Sequence, residues 1–286
     1  MTEKVLSREE APKRPTLGLW LAAIPALLIL SICIALYLGA TAKHETPAPQ
    51  AGEVTAAGLA DSVAKLTRLV GPRDLETPEG RQALKSAVAM AEGTLGTSNT
   101  GYETFQTTDP AVGLLWRTLW VDTGKTAESK TDQVLLLTAN YGGRGEETAF
   151  LIALGEFFTR NKPALTARTV FHPPLPGSDQ TSWLRERVMA DDEEFAGRVE
   201  IVAGSESTQW ATLSCPPKLA EALRGILKAR RWDQAVNLIE LAGLDHVQLT
   251  VHRHPVQPVE GTANFMVRLL PVVRSVLDLL GDQEEA

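Results

Sequence analysis

Cysteine is scarce in this chain, with two residues in 286: Cys33 inside an apolar run and Cys215 far from it. Neither has an evident partner, which excludes a disulfide scaffold. No stripe of Lys and Arg stands out, and 28 basic against 35 acidic residues leave a formal net charge of −7. A polyphosphate backbone therefore finds no electrostatic footing, and nucleic-acid binding is excluded. There is no G-x-S-x-G nucleophile elbow, and Cys215, followed by Pro216-Pro217, reads as a packing residue. The glycine-rich turn 142–145 lacks the Gly-Lys-Ser/Thr ending of a phosphate cradle. Glu146-Glu147, which follow it, would repel an anion and read as acids placed against a helix dipole. Internal repeats and low-complexity tracts are missing, and 44% hydrophobic with 22% charged residues exclude wholesale disorder. The length fits one large domain or two small ones.

Charge is absent altogether between Arg14 and Lys43. Residues 17–39 are almost entirely Leu, Ile and Ala, long enough to cross a bilayer as a helix, with Trp20 and Tyr37 about 25 Å apart near its ends. Lys4, Arg8, Lys13 and Arg14 precede the run and Lys43 alone follows closely, which puts residues 1–16 in the cytoplasm and the bulk of the chain outside. The expectation is a single-pass membrane protein with an extracytoplasmic domain. A cleaved signal peptide ending at Ala40-Thr41-Ala42 competes, but the run exceeds the ~7–15 residues of a signal core. Residues 40–58, with Pro47, Pro49, Gly52 and Gly58, read as a flexible stalk, and 282–286 as an acidic tail.

In residues 59–281, Leu59, Val63, Leu66 and Val70 recur at helical spacing up to Gly71-Pro72, and Thr77 with Pro78 opens a second helix. Strands are expected at 102–107, 114–121, 134–138, 167–171, 198–202 and 247–251. Helices are expected at 146–160, 183–189, 218–229, 232–242 and 262–280. This alternation predicts an α/β fold with a mostly parallel mixed sheet sandwiched by helices. Three clusters of polar residues invite chemistry. His252 and His254, two apart on a strand, share a face and could hold a metal, though such a pair is more often a solvated strand end. His172 and His246 sit at strand edges, and the acidic run 191–194 reads as a solvated loop.

The order of motifs resembles the M28 family of zinc aminopeptidases, which includes glutaminyl cyclases and non-catalytic relatives. Gly71-Pro72-Arg73 and Thr77-Pro78-Glu79-Gly80 are similar to the family's opening. Trp116-Arg117-Thr118-Leu119 resembles its W-R-N-L strand, and Ala139-Asn140-Tyr141-Gly142 its A-H-Y-D. Residues 146–159 resemble its ligand-bearing helix, with Glu156 on the helix-internal glutamate. The resemblance implies the family's α/β fold and two zinc ions polarising a carbonyl and a bridging water. It also implies that the ligands are mostly gone. Asn140 stands for the first His and Gly142 for the Asp; Pro173-Pro174-Leu175-Pro176 stands for the Glu-Glu pair, and Val202-Ala203-Gly204 where an Asp is expected. Glu146 could serve as the bridging acid, with Glu147 beside it, and His252 or His254 as the last His.

The expected function is a catalytically degenerate, membrane-anchored binding or assembly module. It would hold no cofactor, and its partner outside the cytoplasm would be a protein or peptide. The alternative is a metal-dependent aminopeptidase or related hydrolase with a remodelled site, of as few as one metal ion, drawn from Glu146, Glu147, His252 and His254.

Overall fold

The computed structural model describes residues 53–109, 116–123, 132–174, 180–207, 210–253 and 259–282. The segments 1–16 and 17–39, most of 40–58, His254 and the acidic tail after Asp282 lie outside the described residues. No described helix is long and apolar enough to cross a membrane.

Helix α1 (Ala56–Ala64) starts three residues inside the segment read as stalk, because the Thr55 side chain accepts from the Gly58 amide and caps it. It runs into a π-helical turn, Lys65–Val70, that ends at Gly71. Helix α2 (Pro78–Leu95) opens as its sequence predicts, with Thr77 accepting from the Gly80 amide and Pro78 at the first helical position. A single turn, Thr97–Thr100, leads to strands β1 (Thr104–Asp109) and β2 (Trp116–Thr123). Then come β3 (Gln133–Asn140), α3 (Glu146–Phe158), β4 (Thr166–His172), α4 (Gln180–Val188), β5 (Glu194–Glu206) and β6 (Ala211–Cys215). Helix α5 (Pro217–Ala229), β7 (Val236–Glu240), β8 (Val247–Arg253) and α6 (Glu260–Asp282) complete the described residues.

Among the described residues the sheet has eight strands in the order β1-β2-β4-β3-β5-β8-β6-β7. Its centre, β4-β3-β5-β8, is parallel, while β1–β2, β2–β4 and β6–β8 pair antiparallel. The six central residues of β3, Val134–Ala139, are all buried, as their unbroken run of apolar and small residues requires of a strand covered on both faces.

The covering is lopsided. Helices α1, α2, α3, α5 and α6 share one core with Leu135, Leu137, Ala139, Val199 and Leu249. On the other face, among the described residues, only α4 packs, its Leu184 and Val188 against Val134, Leu136 and Val170.

One helix expected from sequence, 232–242, is a strand. Arg231 at φ 57 ends α5, a turn follows in which the Val236 amide bonds the Trp232 carbonyl, and Val236–Glu240 pairs in parallel with β6. The apolar positions of this stretch suit a short helix or an edge strand equally well, and the unpaired edge of β6 decides between them. Strand β6 itself carried no strand expectation. Cys215, its last residue, is fully buried, as its packing role predicts.

Candidate functional site

The site is built around the turn that carries β3 into α3. Asn140 ends the strand, and its side-chain oxygen accepts from the Gly142 amide at 2.7 Å, closing an Asx turn. Gly145 sits at φ +102, a left-handed conformation that a β-carbon would strain, and aims the chain into the helix. No side chain precedes the helix to cap it. Instead Glu147 folds back, its two carboxylate oxygens accepting from the Arg144 amide at 2.8 Å and the Gly145 amide at 3.1 Å. This side chain thereby satisfies two amides at the entrance to the helix. Burial, aided by neighbouring Glu146, raises the Glu147 carboxyl above its ordinary range despite these amides and Arg73.

Two guanidiniums balance the two acids. Arg73 is buried and donates to the Leu66 and Gly143 carbonyls, each at 2.5 Å. Burial lowers its pKa, while the charges of Glu147 and Glu146 act to hold its proton. Arg253, the last residue of β8, donates to Glu146 Oε1, whose other oxygen is buried without a hydrogen-bond partner. Formal charge over the four side chains sums to zero, so nothing here attracts a dication at long range.

Of the described positions singled out for metal binding, His252 is turned away from the two acids. His252 lies between Val251 and Arg253, so strand alternation turns it to the opposite face from the residue that reaches Glu146. One ring nitrogen is 2.9 Å from the Thr212 hydroxyl and the other 3.2 Å from the Ser205 carbonyl. Space has closed as well. A β-carbon at Gly142 would lie 2.4 Å from Pro174 Cγ, and one at Gly204 would lie 2.3 Å from His252 Nδ1. Among the described residues no group of three or more His, Cys, Asp or Glu is placed to hold a metal ion. The described residues therefore do not fit the dizinc centre that the family resemblance implies.

Residues that sequence reading passed over carry much of the electrostatics. Arg73 stood out only as part of the Gly71-Pro72-Arg73 motif, with no charge role, and Arg253 only as the residue between two histidines. On the α4 face, Arg168 is gripped by both oxygens of Asp122 and of Glu193 at 2.6–2.8 Å, so Glu193 is no solvated loop residue. Nearby, Arg198 bonds Thr138, Thr181 and Glu200, and Glu200 also reaches His246 at 3.2 Å. Against the raising effect of burial, His246 and Arg198 pull Glu200 down to about 2. Burial takes the fully enclosed His172 down to about 4, with its Nδ1 donating to the Pro173 carbonyl at 2.8 Å. Charged residues alternating with apolar ones inside expected strands, as in Arg198-Val199-Glu200, are the signal that would have exposed this network.

The fold resembles that of solved Zn-dependent exopeptidases, aminopeptidases and glutaminyl cyclases. A leucine aminopeptidase precursor from Bacteroides thetaiotaomicron superposes with a TM-score of 0.51 at 10% identity, over 81% of this chain and 98% of its own. A glutaminyl cyclase from the same species, bound to N-acetylhistamine, gives 0.53 at 10% identity, over 80% and 99%. The LapA aminopeptidase of Legionella pneumophila gives 0.54 at 9% identity, over 79% and 71%. No family model and no curated protein matches the sequence. At such identities the likeness is one of fold, and activity has to be argued from the site.

Proposed function

We propose that this chain is a membrane-tethered, extracytoplasmic domain of aminopeptidase-like fold that binds a protein or peptide partner, holds no zinc and hydrolyses nothing. The observation that carries this reading is that both acids of the candidate site are already engaged inside the protein. Glu146 pairs with Arg253, and Glu147 caps its own helix. A carboxylate so held is not available to bridge two dications, and a guanidinium beside it opposes their approach. The prolines after β4 supply no general base for an attacking water. Tethering rests on the uncharged run 17–39 and its basic N-terminal flank.

The full chain, purified without chelators and supplied with zinc, is to be assayed for bound metal, for amino-acid release from peptides and for cyclisation of N-terminal glutamine. The expected result is no stoichiometric zinc and no turnover. Dinuclear zinc together with hydrolysis abolished by Glu146→Ala would overturn the reading. A reporter active only in the exported compartment, fused after Ala286, should be active; an inactive one would reverse the topology.

A further inference from the structure

Among the described residues β7 is the last strand of the sheet, with one edge on β6 and the other open. The Leu241 amide donates to the Cys215 carbonyl, so in the parallel ladder with β6 the odd-numbered residues turn their amides and carbonyls inward. Leu238 and Glu240 therefore turn theirs out to the open edge. A ladder left open in this way is completed by another extended strand.

Its side chains favour the same contact. Leu238 packs against the core under the helices and Glu240 pairs with Arg224 of α5, which leaves Ile239 and Leu241 on the opposite face, 38% and 41% exposed. These are two of the four large apolar side chains exposed among the described residues. Strand β7 carries no proline, lysine or bulge, the usual guards of a sheet edge. The other edge strand, β1, covers its own exposed ring by stacking Phe105 on Trp120 at 5.9 Å.

We infer that β7 pairs antiparallel with β7 of a second copy of this chain, joining the two sheets about a two-fold axis. The register that uses both outward residues on both strands pairs Leu238 with Glu240 of the copy. It sets Ile239 opposite Ile239 in a non-hydrogen-bonded pair and Leu241 opposite Asn237, so the exposed apolar side chains are covered by the same strand of the copy. Charge permits this, since Glu240 meets Leu238 and not another acid, and each Glu240 keeps its own Arg224. The axis stands normal to the sheet, so both copies of α1, which belongs to the core on one face, lie on one side of the joined sheet. Two chains anchored by their N-terminal runs in one bilayer can therefore meet. A ladder this short is weak in dilute solution, and the inference rests on the tethering proposed above only for the concentration that a shared membrane supplies.

The test is oxidative cross-linking of the full chain in phosphatidylcholine vesicles, in a Cys33→Ser background, the remaining Cys215 being buried. The Cα atoms of a non-hydrogen-bonded pair stand about 4.5 Å apart, within disulfide reach, so copper phenanthroline and oxygen should oxidise two Ile239→Cys thiols to one disulfide. Asn237→Cys, whose copies lie about 13 Å apart along the strands, should give at least about tenfold less covalent dimer, and adding Leu241→Cys to it should restore the cross-link. Ile239→Lys, at an exposed position, should leave the thermal melt in place and lower the dimer fraction counted by single-molecule photobleaching severalfold. A chain that washes off the vesicles refutes the tether and not the pairing, and the same oxidation at about 1 mM in solution then judges the pairing alone. Ile239→Cys no better than Asn237→Cys, or a dimer fraction indifferent to Ile239→Lys, would overturn the proposal.

Discussion

Replacing Arg253 by Met removes a charge while keeping most of the aliphatic stem, and so isolates the ion pair on which the reading of the site depends. Glu146 is 5% exposed, one of its oxygens is bonded to Arg253, and the other is buried with no partner. Breaking a buried pair from one side usually costs about 3–5 kcal/mol, because the surviving ion stays desolvated. Here the Arg253 side chain is 35% exposed, so water partly replaces it. Arg73 and the N-terminus of α3 also continue to favour the acid, the latter by roughly 0.3–1 kcal/mol. The expected loss is therefore about 2–4 kcal/mol, or roughly 5–15 °C in Tm for a domain of this size.

Urea unfolding of wild type, Arg253→Met, Glu146→Gln and the double variant gives the coupling directly. The double variant should recover most of the loss, with an interaction of about 2–3 kcal/mol. Arg253→Met within about 0.5 kcal/mol of wild type, or a double variant no better than the single, would show that the pair is a solvated contact. If Arg253→Met instead acquired stoichiometric zinc, Glu146 would have to be read as a latent ligand that Arg253 suppresses.

Four further predictions concern the same structure. His172 has a folded pKa of about 4 against an ordinary 6.5, so the unfolded chain takes up a proton that the folded chain refuses. Stability should fall by about 3 kcal/mol as pH drops from 6.5 to 4, and His172→Asn should flatten that limb in urea titrations; an unchanged slope would refute it. His246, raised by Glu200 and Asp245 against the effect of burial, acts in a higher window, its contribution being present below 6.5 and lost as pH rises through its folded pKa. Gly142→Asp drives a β-carbon against Pro174 and should cost about 1–3 kcal/mol without creating zinc affinity, as thermal melts with and without zinc would show. Leu136→Asp places a charge in the fully buried packing between β3 and α4 and should abolish the cooperative melt; a soluble, cooperatively unfolding variant would contradict the sheet assignment.

Much of the fold was legible locally. An unbroken apolar run predicts β3 because a strand buried on both faces tolerates nothing else there, and Thr77-Pro78 predicts the start of α2 because capping is settled within one turn. The motif order pointed to the fold for the same reason, since each motif is a strand end or helix start with its own local chemistry. Asn140 and Gly142 were likewise visible as departures from a ligand pattern by residue type alone.

What only the tertiary structure decided is how distant groups meet. Whether 236–240 became helix or strand depended on the open edge of β6, a partner more than twenty residues away that no local propensity contains. Which charge Glu146 faces depended on the register of β8, where a shift of one residue would have presented His252 in place of Arg253. That Gly142 and Gly204 have no room for an acid followed from Pro174 and His252, brought close by the loop after β4 and by the pairing of β5 with β8. Sequence lists the ionisable groups along a line, whereas their pairing depends on separations of a few ångströms between elements, where burial and Coulomb energy change most steeply.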